Sequence, residues 1–154
     1  MHALLERNSP VTLDSSVNSL SWRGTEKEGW LAVGNTNRVV GVTYTEISEG
    51  NGVGEEKSDG SEELEQQNLR RNFNFREHTQ NVTVVRWNKQ LDKIATCDAH
   101  GSVIVWRNQD DRSIMELVNH RGIPISDFQW SNDGTKVLIS YVDGYVLVLS
   151  LIHI

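Results

Sequence analysis

Residues 82–106 lie over residues 125–149 at a constant offset of 43, with no gap. Val82-Thr83-Val84-Val85-Arg86-Trp87 falls on Ile125-Ser126-Asp127-Phe128-Gln129-Trp130, and Ile94-Ala95-Thr96 on Val137-Leu138-Ile139. Gly101 meets Gly144, and Val103-Ile104-Val105 meets Val146-Leu147-Val148. A period of this size marks a stacked repeat, in which each unit buries its apolar face only against a neighbour. Within a unit, a strand ending in Trp is followed by a polar turn, a short β-branched run, a turn closing on Gly and a third apolar run. Short β-branched and aromatic runs set between turn residues are strand signals. Glycine suits a tight hairpin turn because such turns often require φ > 0. Ser113–Val118, between the copies, supplies a fourth strand.

A weaker copy comes first. Val17–Trp22, Trp30–Gly34 and Val39–Thr45 match the three strands, but Trp22 and Trp87 are 65 residues apart. The excess coincides with a segment containing eight acids and one base between Glu46 and Glu65. Rich in Gly, Ser and Glu, it holds too little apolar content to fold, so a disordered acidic insert is expected at about 46–71. Asn72-Phe73-Asn74-Phe75 alternates with period two and should resume the sheet. The units then run at about 17–78, 79–120 and 121–150. The expected fold is all-β, a partial β-propeller of about three blades of four-stranded antiparallel sheet.

With His78 opening it, followed by Val82–Trp87, Ile94–Cys97 and Ser102–Trp106, the middle unit resembles a WD repeat. Glu28–Gly34, Val84–Asn88, Ala95–Ala99, Glu116–Asn119 and Ser126–Phe128 are more narrowly similar to the N-terminal propeller of the tubby-related proteins. That propeller is similar in turn to the one that opens a subunit of ciliary intraflagellar transport complex A. The positions that carry the repeat are His78, Trp87, Thr96, Gly101, Trp106, Trp130, Asp143 and Gly144. Departures are also clear. Glu77 precedes His78 where Gly is usual, and the Asp of the second hairpin turn is read as His100 in the middle unit and Asn37 in the first, with only Asp143 keeping it. The closing Trp is Trp106 in one unit but Thr43 and Leu149 in the others, so the buried His–Ser/Thr–Asp–Trp network is expected to be partial.

No chemistry competes with this reading. Five His are scattered with no metal-ligand spacing, Cys97 stands alone, and Asn51-Gly52-Val53-Gly54 lacks the strand and helix of a phosphate loop. The net charge is −6, but outside the acidic stretch the chain is nearly neutral. It therefore offers no basic face for nucleic acid. No stretch is long enough for a signal peptide or a membrane span. The expectation is a non-enzymatic protein-binding scaffold with no cofactor, no nucleic-acid partner and no membrane insertion, located in the cytoplasm. The resemblance implies a substrate-recognition platform of a cullin-type ubiquitin ligase, within a longer protein carrying a SOCS-type box and a tubby domain. The alternative it implies is a structural subunit of ciliary transport, with cilium-associated location; the partners would be ubiquitin-ligase components or ciliary trafficking proteins. Three blades cannot close a ring, so the sequence is expected to be a fragment. Val103–Val105 and Val146–Val148 are expected to line an open ring interior, and the apolar tail Leu149–Ile154 to add uncovered surface.

Overall fold

In the computed structural model, residues 15–25, 28–46, 72–109 and 112–152 are described. They form eleven strands in three antiparallel sheets. The first sheet has β1 (Val17–Gly24), β2 (Glu28–Asn35), β3 (Val40–Glu46) and β4 (Phe73–Phe75), ordered β1-β2-β3-β4. The second has β5 (Val82–Trp87), β6 (Lys93–Asp98), β7 (Ser102–Gln109) and β8 (Arg112–His120), ordered β5-β6-β7-β8. The third has β9 (Ile125–Trp130), β10 (Lys136–Tyr141) and β11 (Val146–Ser150), ordered β11-β10-β9, and thus three strands among the described residues rather than the expected four. Of the expected acidic insert, Glu46 ends β3, while 47–71 lies outside the described residues.

Turn chemistry fixes the hairpins. Gly101 donates its N–H to Asp98 O at 3.0 Å with φ 81°, and Gly144 donates to Tyr141 O at 3.0 Å with φ 84°. At Gly101 a Cβ would come within 2.0 Å of Ile123 O, so both the backbone angle and the space require glycine. The first sheet has Arg38 in this left-handed slot, at φ 65°. The Asn35 side chain helps hold that turn, its Oδ1 accepting from the N–H groups of Asn37 at 2.9 Å and Val39 at 3.3 Å.

Burial patterns show how the sheets stack. Five consecutive residues of β6, Ile94–Asp98, are buried, whereas β10 alternates buried Val137, Ile139 and Tyr141 with less buried neighbours. Successive strand residues point to opposite faces, so β6 lies in a sheet covered on both sides and β10 in one covered on one side. Ala32, Val40 and Val42 of the first sheet pack against Val85, Trp87, Ile94, Ile104 and Trp106 of the second. The second sheet's other face, Ala95, Cys97, Val103 and Val105, packs against Phe128, Val137, Ile139 and Tyr141 of the third. Burying each large side chain contributes on the order of 1.5–3 kcal/mol.

This arrangement corrects two expectations. Val103 and Val105 do not line a ring interior; they are fully buried between the second and third sheets, and their counterparts Val146 and Val148 are 60% and 56% exposed on the third sheet's outer face. β7 is an interior strand of the second sheet, between β6 and β8, and its side chains stand perpendicular to that sheet, with Val103 and Val105 facing the third one. Nor is the apolar tail wholly uncovered: Leu151 is buried in the second core, its N–H bonded to Thr135 O at 2.8 Å, while Ile152 is exposed.

The strands that meet across the sheets are the first ones. β5 is an edge strand, and side chains of β1 reach its backbone. Ser19 Oγ accepts the Val85 N–H at 3.0 Å, Ser21 Oγ accepts the Trp87 N–H at 2.8 Å, and Asn18 Nδ2 donates to Val82 O at 2.9 Å. An edge that would otherwise offer unpaired amides is thereby covered. Between β5 and β9 the link is Trp130 Nε1 donating to Arg86 O at 3.1 Å. Nearby, Asn88, fully buried in the turn after β5, donates to Gly134 O at 2.8 Å.

Candidate functional site: a buried polar relay and two surface rims

In the second sheet a relay of polar side chains is sealed inside the core. His78 Nδ1 is 3.0 Å from Asp98 Oδ2, and His78 Nε2 is 2.7 Å from Thr96 Oγ1. Trp106 Nε1 donates to the same Thr96 oxygen at 2.9 Å. With its proton on Nδ1 the neutral ring donates to the carboxylate, while Nε2 accepts from the Thr96 hydroxyl. Burial pushes the His78 pKa below its ordinary value, against the opposing pull of Asp98. Burial pushes Asp98 up, but His78 and the backbone N–H groups of Ser102 and His100 outweigh it and hold the carboxyl below its usual range. Asp98 Oδ1 accepts those two N–H groups at 3.0 Å each, so one carboxylate fastens both the relay and the hairpin turn.

Of the residues singled out in the sequence, the fold brings His78, Thr96 and Trp106 together, with Trp87 in the same core. Gly101 holds the turn beside them; Trp130 is half-buried at the end of β9. Asp143 and Gly144 sit in the exposed β10–β11 turn, away from any relay. The aspartate that sequence reasoning missed is Asp98. A residue at the tip of a hairpin turn, such as His100 or Asp143, faces solvent, whereas the last strand residue before the turn projects into the sheet face. Asp98 stands three residues before Gly101, and that offset is the signal for it. The relay is therefore complete in the second sheet, not partial.

The 43-residue offset carries His78, Thr96, Asp98 and Trp106 onto Arg121, Ile139, Tyr141 and Leu149, none of which can rebuild it. In the third sheet polarity moves to the surface instead. The Arg121 guanidinium lies 4.8 Å and 4.4 Å from the ring centres of Tyr141 and Tyr145, and pairs with Asp143 at 2.7 Å. Hydrogen bonding from Arg121 holds the Asp143 carboxyl below its ordinary pKa.

None of these groups is set for covalent chemistry. Burial pushes the Cys97 thiol far up, so it is not a thiolate nucleophile. His78 has both ring nitrogens engaged inside the core, and no cluster able to hold a metal exists among the described residues. What remains available is surface at the two ends of the sheets. One rim holds the β6–β7 and β10–β11 turns with Arg121 and Tyr145; the other holds the ends of β1, β5 and β9.

Sheets stacked face to face, first strands converging, and a His–Thr–Asp–Trp relay define a WD-repeat β-propeller segment. Solved propellers agree on the fold: the chain superposes on Sqt1 of Chaetomium thermophilum with TM-score 0.64 at 17% identity, covering 92% of this chain and 32% of that one. The WD40 domain of Toxoplasma gondii coronin gives 0.61 at 12% identity, covering 88% and 31%. Residues 1–151 match the family described as WDR35/TULP4 N-terminal, a β-propeller family, and the chain belongs to it. Human tubby-related protein 4 is 42% identical over 98% of this chain and 10% of its own length. Rat WD repeat-containing protein 35 is 29% identical over 98% of this chain and 12% of its own. The chain thus spans about a tenth of the curated relatives it matches.

Proposed function

We propose that this propeller segment is a non-enzymatic protein-binding platform that presents substrates to a cullin-type ubiquitin ligase within a longer tubby-like protein. The observation that carries the reading is the 42% identity to tubby-related protein 4 across nearly the whole chain. It is supported by the way His78 and Cys97 are held inside the core while the two rims stay exposed. Binding sites concentrate on loops held by a rigid scaffold, and a propeller rim is such an arrangement. Its place is the cytoplasm. Deleting residues 1–151 from the longer protein should leave cullin association intact and abolish ubiquitination of its bound substrates. Unchanged ubiquitination overturns the proposal. The similarity to WD repeat-containing protein 35 favours a second reading, a structural subunit of ciliary transport complex A. In that case the same deletion should remove the protein from cilia and leave ubiquitination unaffected.

A further inference from the structure

The ends of the three first strands enclose a cavity of about 430 Å³ lined by residues that include Trp22, Arg86, Lys89, Gln129 and Trp130. It opens on the rim opposite Arg121 and Tyr145, because each first strand ends there while the β10–β11 turn lies at the far end of β10. Three features set its chemistry. Arg86 and Lys89 bring two positive charges, and among the described residues no carboxylate lines the cavity. Arg86 is held half-buried, its guanidinium donating to Val85 O at 2.9 Å, so its position is fixed by the strand it springs from. Lys89 is exposed in the turn after β5 and has no hydrogen-bond or ion-pair partner among the described residues. The walls are aromatic: Trp22 is 39% exposed, and Trp130 is half-buried with its indole N–H already spent on Arg86 O. An exposed indole and an arginine are residue types enriched where a protein surface meets a partner.

We propose that this cavity binds an extended acidic peptide of a partner protein, with its carboxylates at Arg86 and Lys89 and an apolar side chain between Trp22 and Trp130. The proposal rests on the scaffold reading above and gives that scaffold a site and a partner chemistry. Two cations are too few to hold a nucleic-acid backbone, which needs several clustered Lys or Arg. They do suffice to steer and orient a short acidic segment, while aromatic walls supply its contact area. The amides of Gln90 and Asn132 around the opening can meet peptide carbonyl and N–H groups, while Gln129 Nε2 already donates to Asp127 Oδ2 at 3.2 Å and leaves its carbonyl oxygen to accept.

The test uses the 154-residue chain and a fluorescein-labelled peptide of about twelve residues built from Glu-Leu-Glu repeats, read by anisotropy. Its Lys-for-Glu counterpart and a single-stranded oligonucleotide of similar length serve as the other probes. The acidic peptide should bind, weaken about tenfold in Lys89→Glu, and weaken further as salt rises to about 0.5 M. Because Lys89 is exposed in a turn, that variant should melt as the parent does. Arg121→Glu, on the opposite rim, should leave binding unchanged. Preference for the basic peptide or the oligonucleotide overturns the proposal. Acidic-peptide binding that survives Lys89→Glu and is lost in Arg121→Glu overturns this site and leaves the scaffold reading standing. Absence of binding by every probe overturns the assigned site, and only the ubiquitination and ciliary experiments above then bear on the scaffold reading.

Discussion

Replacing Thr96 by Val keeps the shape of a fully buried side chain and removes only its hydroxyl. That hydroxyl serves Trp106 Nε1 at 2.9 Å and His78 Nε2 at 2.7 Å. The substitution leaves both groups in the core without their partner. Each costs about 1–3 kcal/mol, offset by about 0.8 kcal/mol for the added buried methyl, so the net loss should be about 1–5 kcal/mol. Against a total stability of roughly 5–15 kcal/mol this is a large change. Thr83→Val is the control, since Thr83 is half-buried and its hydroxyl reaches Cys97 O alone among the described residues, at 3.4 Å. Urea unfolding followed by Trp fluorescence reads both, provided the slope with denaturant stays constant. The reverse change at the corresponding place in the third sheet, Ile139→Thr, should also destabilise, because it buries a hydroxyl where no His or Trp awaits it. Equal unfolding midpoints for Thr96→Val and Thr83→Val would refute the relay as a source of stability.

Three further outcomes are expected. Trp87→Ala should cost about 3–5 kcal/mol, because Trp87 is buried in the core between the first two sheets, and half-buried Trp130→Ala should cost less; equal melting shifts would contradict their different burial. The His78 pKa lies below its ordinary 6.5, so the folded state keeps the neutral ring while the unfolded chain takes up a proton; the contribution is complete above pH 6.5 and is lost as pH falls below it. Asp98, held below its ordinary 3.8, adds stability that is present above that value and lost as pH falls through its lowered folded pKa; because His78 is the first of the groups that hold it low, His78→Gln should flatten the melting profile near pH 6 and make the fall in stronger acid shallower, and an unchanged profile near pH 6 counts against the His78 assignment. Finally, Leu138, Val146 and Val148 form an apolar face 40–60% exposed, at positions whose second-sheet counterparts Ala95, Val103 and Val105 are fully covered. Light scattering should show concentration-dependent association, relieved by Val146→Lys with Val148→Lys, and a sharp monomer peak at every concentration would speak against it.

Much of the fold could be read from residue order alone, because its units obey local rules. Trp87 and Trp130 close strands of equal length, and Gly101 and Gly144 occupy turns that only a positive φ can close. The stacking was legible only in outline. Asp98 looks in the sequence like one more polar turn residue, and its role depends on which face the preceding strand turns inward. Ser19, Ser21 and Asn88 are harder still. Each acts on a neighbouring sheet, at a residue 46–66 positions away, and a small polar residue shows nothing of that distance in one sequence. The third sheet gave the opposite difficulty: Asp143 sits at the expected turn position but pairs with Arg121 at the surface, since Ile139 and Leu149 leave it no relay to join.

The propeller arrangement depends on one sheet lying directly on the next, with β1 sealing the free edge of β5. Amide hydrogen exchange tests that contact at single residues. If Ser19 and Ser21 accept the Val85 and Trp87 N–H groups, these two amides should exchange only with global unfolding, although β5 is an edge strand. In Ser19→Ala with Ser21→Ala they should exchange much faster, while Ala95 and Thr96 in the middle of the same sheet stay protected. Rapid exchange of Val85 and Trp87 in the unaltered chain, beside slow exchange at Ala95 and Thr96, would mean that the second sheet forms but the first does not pack upon it, and the propeller arrangement would fall.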